Sequence, residues 1–232
     1  MSRDWQEGPR DTAEAETPAV PHTPTSRTLG IDFDNTIVCY DQLFHDLARE
    51  RGAIPSDLPV DKQSVRDHLR NVGQEELWIE LQGIAYGPEL YRAEPFPGSL
   101  EFIALSLRHG FEVFIISHKT KHPYLGPQYD LHQAAWDWLA RHGAHDPPIG
   151  IPRDHVFFCL TRRSKIERIL QQACSLFIDD LPEFLAEPDF PPHVQRLLFD
   201  PSAQHANESR FGRMTSWDQI QTFLLGGGES IR

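Results

Sequence analysis

Thr28-Leu29-Gly30-Ile31-Asp32-Phe33-Asp34-Asn35-Thr36 is the stretch on which the fold turns. Leu29, Ile31 and Phe33 make a short apolar run that passes directly into a polar cluster. This is the pattern of a buried strand whose carboxyl end delivers functional groups. Period-two alternation points Asp32 and Asp34 the same way, roughly 6.6 Å apart if the strand stays extended. Two carboxylates so placed repel each other unless a cation or a shared proton lies between them. A lone aspartate after a strand is commonly a turn or cap residue. The pair flanking Phe33 points instead to a metal or catalytic site.

Working outward, further apolar runs recur at 112–116, 155–159, 175–178 and 194–199. Helical patterns lie between them. Leu100, Ile103, Ala104 and Leu107 share one face before His109-Gly110, and Leu131, Ala134, Ala135, Trp138 and Leu139 share another before His142-Gly143. Both end on the glycine stop signal. Ile166, Ile169, Leu170 and Ala173 form a third stripe, and Trp217, Ile220, Phe223 and Leu224 a fourth, opened by Thr215 and Ser216 as candidate caps. Apolar strands alternating with amphipathic helices predict an α/β fold, a doubly wound parallel sheet covered on both faces. Between 40 and 95 no strand is evident, and Leu43, Phe44 and Leu47, then Leu77, Trp78 and Leu81, fall at helical spacing. The segment exceeds what a single crossover helix needs and is expected to be a small helical cap. The α/β core then comprises 28–39 and 96–232.

The other strand ends add chemistry. Ser117, His118 and Lys119 follow the second apolar run, Lys165 opens the helix after the third, and Asp179-Asp180 close the fourth ahead of Pro182. His118, Lys119 and Lys121 could meet an anionic group from a loop or be a solvated basic loop. Tyr86, near the cap's return, could touch substrate or simply pack. Trp138 reads as core and Trp136 as partly exposed; His193 and His205 have no metal-ligand spacing, and the His-rich composition reads as surface.

The chain's 232 residues, 39% hydrophobic and 24% charged, suit a globular domain with a sizeable core. The formal charge of -12 would repel a nucleic-acid backbone or an anionic membrane, so neither is an expected partner. No apolar run approaches the ~18 residues of a membrane span. The start of the chain lacks a basic-then-apolar leader, so a soluble, cytoplasmic protein is expected. Residues 1–27 contain no Leu, Ile or Phe and alternate prolines with acids and threonines, which predicts a disordered tail. Cys39, Cys159 and Cys174 lack metal-ligand spacing and are expected to be reduced core residues.

In order along the chain, these pieces resemble the haloacid dehalogenase superfamily. Its Asp-x-Asp-x-Thr motif matches Asp32 to Thr36, its strand-end Ser or Thr matches Ser117, its lysine Lys165, and its terminal acidic motif Asp179-Asp180. The resemblance spans about 28–199 and places a cap between the first two motifs. It implies a Mg²⁺-dependent phosphate-monoester hydrolase acting on a small phosphorylated metabolite. Asp32 would be the nucleophile, Asp34 the acid and base, and Ser117 and Lys165 the partners of the transferring phosphoryl group. Mg²⁺ would be held by Asp32, the backbone carbonyl of Asp34 and Asp180, with Asp179 behind them. An acid at position 34 favours ester hydrolysis over dehalogenation or ATP-driven transport within that superfamily. A phosphomutase or phosphotransferase, or a silent binding module that keeps the fold, stand as alternatives. Oligomeric state is not legible.

Overall fold

A computed structural model describes residues 27–226. The tail expected over 1–27 therefore lies outside the described residues apart from Arg27, and the expected core limit at 232 lies outside them too. Arg27 belongs to the fold. Its guanidinium donates to the His109 carbonyl at 2.8 Å, and its own carbonyl accepts from Glu112 N at 2.8 Å.

Strand β1 (Thr28–Ile31) leads through a loop to the short β2 (Val38–Cys39) and then into helices α1 (Asp41–Glu50), α2 (Lys62–Asn71) and α3 (Glu75–Ala85). The chain returns through β3 (Glu94–Pro95), which pairs antiparallel with β2, with Cys39 opposite Glu94. Next come α4 (Ser99–Arg108), β4 (Glu112–His118), α5 (Leu131–Arg141), β5 (Val156–Cys159) and α6 (Arg162–Gln171). The chain closes with β6 (Leu176–Asp179), α7 (Pro182–Leu185), β7 (Gln195–Phe199), β8 (Gly212–Met214) and α8 (Trp217–Leu225).

Among the described residues the main sheet has six parallel strands in the order β5-β4-β1-β6-β7-β8. Ile31 sits level with Ile115 on one side and Ile178 on the other, and all three are fully buried. Alternation sorts the strands' side chains onto two faces. Val113, Ile115, Leu176, Ile178, Leu197 and Phe199 join one apolar cluster; Phe114, Ile116, Phe177 and Leu198 join the other. Helices therefore cover both faces, as a parallel sheet requires. Gly30 is needed where β1 meets β6, because a Cβ there would lie 2.4 Å from Phe177 Cδ2 and 3.0 Å from Cys174 Sγ.

The cap is helical, with one addition: the β2–β3 pair at its base, two residues per strand and too short to show a period. Phe44, Leu47, Trp78 and Leu81 of the cap belong to the same apolar cluster as β1, so cap and core share one packed interior. Trp138 Nε1 donates to the Ala93 carbonyl at 2.7 Å and ties the cap's return to α5. Helix α2 is mostly polar, with Val65 and Leu69 as its buried residues. Asp61 caps it, accepting from Ser64 N at 2.7 Å. No helix among the described residues is long and apolar enough to cross a membrane. Cys159 and Cys174 are buried free thiols, while Cys39 is only half-buried.

Candidate active site

From β1 the sheet continues to β4 on one side and to β6 on the other, so the strand order reverses between β1 and β6. The crevice beyond the carboxyl ends of two such strands is where open α/β sheets place their ligands. Asp32 leaves β1 there, its backbone N donating to the Ile178 carbonyl at 2.9 Å, and Asp179 and Asp180 leave β6 beside it.

Asp32 and Asp34 do not continue an extended strand. β1 ends at Ile31, Asn35 takes a left-handed φ of 56°, and the amides of Ile37 and Val38 both donate to the Phe33 carbonyl. The Phe33 ring is fully buried, edge-on to Trp138 and Phe158, and this pins the loop. Each of the two carboxylates meets its own lysine, Asp32 with Lys165 and Asp34 with Lys119.

Lys165, in the first turn of α6, reaches Asp32 Oδ1 and Asp179 Oδ2, each at 2.5 Å. A reciprocal cap between Thr161 and Ser164 fixes the start of that helix. The ammonium lies 4.2 Å from the Phe184 ring centroid and is almost completely buried. Burial alone would lower its pKa, but the Asp179 and Asp32 carboxylates prevail and raise it, so Lys165 stays charged. Asp179 Oδ1 accepts from Leu181 N at 2.9 Å, so both of its oxygens are engaged. The Asp180 side chain has no hydrogen bond and no ion pair within 4 Å among the described residues, and the Lys62 and Lys165 charges act on it from farther away.

Oxygens of Asp32, Asp179 and Asp180 all lie within 4.8 Å of one another. Burial, reinforced by the Asp179 and Asp34 charges and opposed by Lys165, pushes Asp32 up to about 7. Burial and the Asp179 and Asp32 charges likewise raise Asp180 well above the usual carboxylate range. Three carboxylates against one ammonium leave a local excess of two negative charges when ionised. A hard divalent cation with oxygen ligands fits that excess and that donor set.

Asp34 is held by partners of its own. Lys119 Nζ donates to both of its oxygens at 2.9 Å, and Tyr40 Oη donates to Oδ1 at 2.5 Å. Lys119 is thus a buried residue at the end of β4, not part of a basic loop. Its backbone N donates to the Cys159 carbonyl at 2.8 Å, and its carbonyl accepts from His132 Nε2 at 2.8 Å. Ser117 is fully buried, and its Oγ has no hydrogen-bond partner among the described residues. A buried hydroxyl left unpaired at a strand end is unfavourable unless a ligand completes it.

Of the residues considered for substrate contact, His118 is exposed and Lys121 pairs with Asp130 at 3.7 Å. The Tyr86 ring packs edge-on to Tyr40 and Phe44. Tyr40, the closest partner of Asp34, carried no signal in the sequence beyond being the aromatic that opens the cap.

No family model matches the sequence, and comparison with curated proteins finds no match. Among solved structures the chain is similar to a HAD-family hydrolase from Deinococcus radiodurans R1 that carries bound phosphate and sodium. That likeness has 11% identity and a TM-score of 0.53, covering 86% of this chain and 95% of the other. The fold is that of the haloacid dehalogenase (HAD) hydrolases. A protein described as a dehalogenase is also similar, at 13% identity and a TM-score of 0.50, covering 88% of this chain and 99% of that one. The HAD fold is thereby established, and the chemistry rests on the side chains.

The raised Asp32 gives a pH dependence with a definite sign. A carboxyl whose folded pKa lies near 7 keeps its proton where the unfolded chain has released it, so it lowers the stability of the metal-free protein as pH rises from about 4 to about 7. A cation bound by ionised carboxylates must displace that proton. Added Mg²⁺ should therefore raise the melting temperature more at about pH 8 than at about pH 5, measured by thermal unfolding with and without metal. Equal shifts at both values would place the metal elsewhere.

Proposed function

We propose that this chain is a Mg²⁺-dependent phosphate-monoester hydrolase that works through an aspartyl phosphate on Asp32. One observation carries the reading: the Asp32-Asp179-Asp180 cluster around Lys165, with a second, separately held carboxylate on Asp34 two residues from the nucleophile. An acid at that position has a purpose in ester hydrolysis, where a leaving alkoxide must be protonated.

Lys165 holds Asp32 by Oδ1, while Oδ2 is free of hydrogen bonds among the described residues and can attack phosphorus. The phosphorus–oxygen bond to the leaving group breaks as the bond to Asp32 forms. Asp34, fixed by Lys119 and Tyr40, gives the departing oxygen its proton. It then takes a proton from the water that attacks the aspartyl phosphate, releasing phosphate and restoring Asp32. Ser117 Oγ donates to a phosphoryl oxygen and so acquires the partner it lacks. Lys165 offsets the negative charge on Asp32 and on the transferring group. Asp32, Asp180 and the backbone carbonyl of Asp34 would hold Mg²⁺, with Asp179 kept behind them by Lys165 and Leu181 N. When bound, the ion supplies positive charge against the phosphoryl oxygens.

The substrate is a small phosphorylated metabolite. A panel of phosphate monoesters assayed for released phosphate, alongside haloacids assayed for released halide, tests the reading. Phosphate release that needs Mg²⁺ and stops in chelator is the expected result. Full activity in chelator, or halide release without phosphate release, would overturn it.

A further inference from the structure

A cleft of about 350 Å³ opens beside Asp180, between helix α2 of the cap and the loops after β6 and β7. The cap side of its wall carries Lys62, Gln63 and Arg66. Lys62 and Arg66 are one helical turn apart on one face, so their stems are about 6 Å from each other. In a chain with a net charge of -12, two cations meeting in the cleft beside an acidic metal cluster call for a physical reason.

Arg66 meets no cleft carboxylate among the described residues, and Lys62 faces the Asp180 and Asp34 charges without a direct ion pair to either. Lys62 Nζ donates to the neutral Asn35 Oδ1 at 3.1 Å, interacts with the Tyr86 hydroxyl, and has no carboxylate within 4 Å among the described residues. It is held there by aromatic faces, with the Tyr40, Phe44 and Tyr86 centroids at 5.9, 5.7 and 5.5 Å. Arg66 spends only Nε on its neighbour Asp67, at 2.9 Å, leaving both terminal nitrogens without a partner among the described residues.

The carboxylates on the same wall are occupied elsewhere. Asp41 accepts the Lys62 backbone N–H at 3.0 Å. Asp200 accepts from the amides of Gln204 and His205 and from Arg213. Asp180 belongs to the metal cluster, and Glu183 is exposed.

We propose that Lys62 and Arg66 form a second anion seat, so that the substrate is a compact phosphate monoester carrying a further anionic group, a carboxylate or a second phosphate, on its leaving-group side. The proposal rests on the phosphatase reading and adds the chemical class of the leaving group. Arg66 offers a planar pair of donors suited to either anion, and Lys62, anchored by three rings, loses little freedom when it binds.

The test measures binding by calorimetry on the full chain carrying Asp32→Asn, with Mg²⁺ present, so that no ligand is consumed. Three ligands distinguish the arms: glycerol phosphate with one anionic group, phosphoglycerate with an added carboxylate, and glycerol bisphosphate with an added phosphate. At least one of the two doubly anionic ligands is expected to bind about tenfold or more tighter than glycerol phosphate. Which one gains more identifies the second group. The gain should shrink to within about twofold in Lys62→Gln or Arg66→Gln and survive in Arg66→Lys. Equal affinity for all three ligands, or an equal loss for all three in the variants, overturns the second seat while leaving the phosphatase reading intact. No binding by any ligand, together with no turnover of any phosphate ester by the unaltered chain, overturns both.

Discussion

Replacing Asp32 by Asn is expected to lower turnover roughly 10⁴-fold or more while leaving the fold as stable as before or more so. The two halves of that expectation come from the same observation. The amide is nearly isosteric and can still accept from Lys165, but it cannot form an acyl phosphate. Asp32 is also a costly group to ionise where it stands, since burial and the neighbouring Asp179 and Asp34 charges push it up to about 7. Removing one of three crowded carboxylates relieves repulsion in the metal-free state, and Lys165 retains Asp179 at 2.5 Å. Turnover and thermal unfolding in chelator are the two measurements. Near-normal turnover would remove Asp32 as the nucleophile, and a large fall in melting temperature would contradict the electrostatics.

Lys165→Met has the opposite signature. It takes away the one cation among the described residues in contact with Asp32 and Asp179 and leaves buried carboxylates uncompensated. Breaking a buried pair on one side costs about 3 to 5 kcal/mol, which in a domain of this size is a fall of roughly 10 °C in melting temperature. Turnover should fall with it, because the same ammonium faces the transferring group. The loss should be smaller at about pH 5 than at about pH 8, since protonated carboxyls no longer repel. Combining Lys165→Met with Asp32→Asn should recover part of the stability and none of the activity. A variant with unchanged stability at about pH 8 would mean that the carboxylates find their counter-charge elsewhere.

The strands at the centre of the sheet and the groups at their ends were legible because a parallel strand buried on both faces is a nearly unbroken apolar run. Asp32, Ser117 and Asp179-Asp180 mark where such runs stop, and Lys165 follows one of them. Three kinds of feature were not legible. Strand β8 is Gly-Arg-Met, held by its register with Leu197 and Phe199 and not by any pattern of its own. Lys119 looked like a loop residue because the apolar run ends at Ile116, yet pairing of Ser117 with Phe158 and His118 with Cys159 carries β4 two residues further. That extension sets Lys119 beneath Asp34. The extended backbone expected through Asp32 and Asp34 also stops early: the strand ends one residue before the first of them, and Asn35 turns the chain.

Histidines show the same limit. A His-rich composition reads as surface, yet His45 lies buried in α1 with both ring nitrogens unpartnered among the described residues. Its burial comes from the packing of α1 against α2 and α3, which a local reading does not contain. Lys62 and Arg66 are equally silent in the sequence, as polar residues on a polar helix. Only the closure of α2 over the loops after β6 and β7 turns them toward a shared cleft.

The covalent step on Asp32 is tested most directly by rapid quenching during turnover of a phosphate ester in heavy-oxygen water, followed by mass measurement of the peptide that contains Asp32. The expected result is a transient phosphoryl adduct on Asp32 that disappears as substrate is exhausted, with the heavy oxygen found in released phosphate and none in the Asp32 carboxylate. Steady phosphate release with no adduct at any quench time, or heavy oxygen in the Asp32 carboxylate, would contradict it.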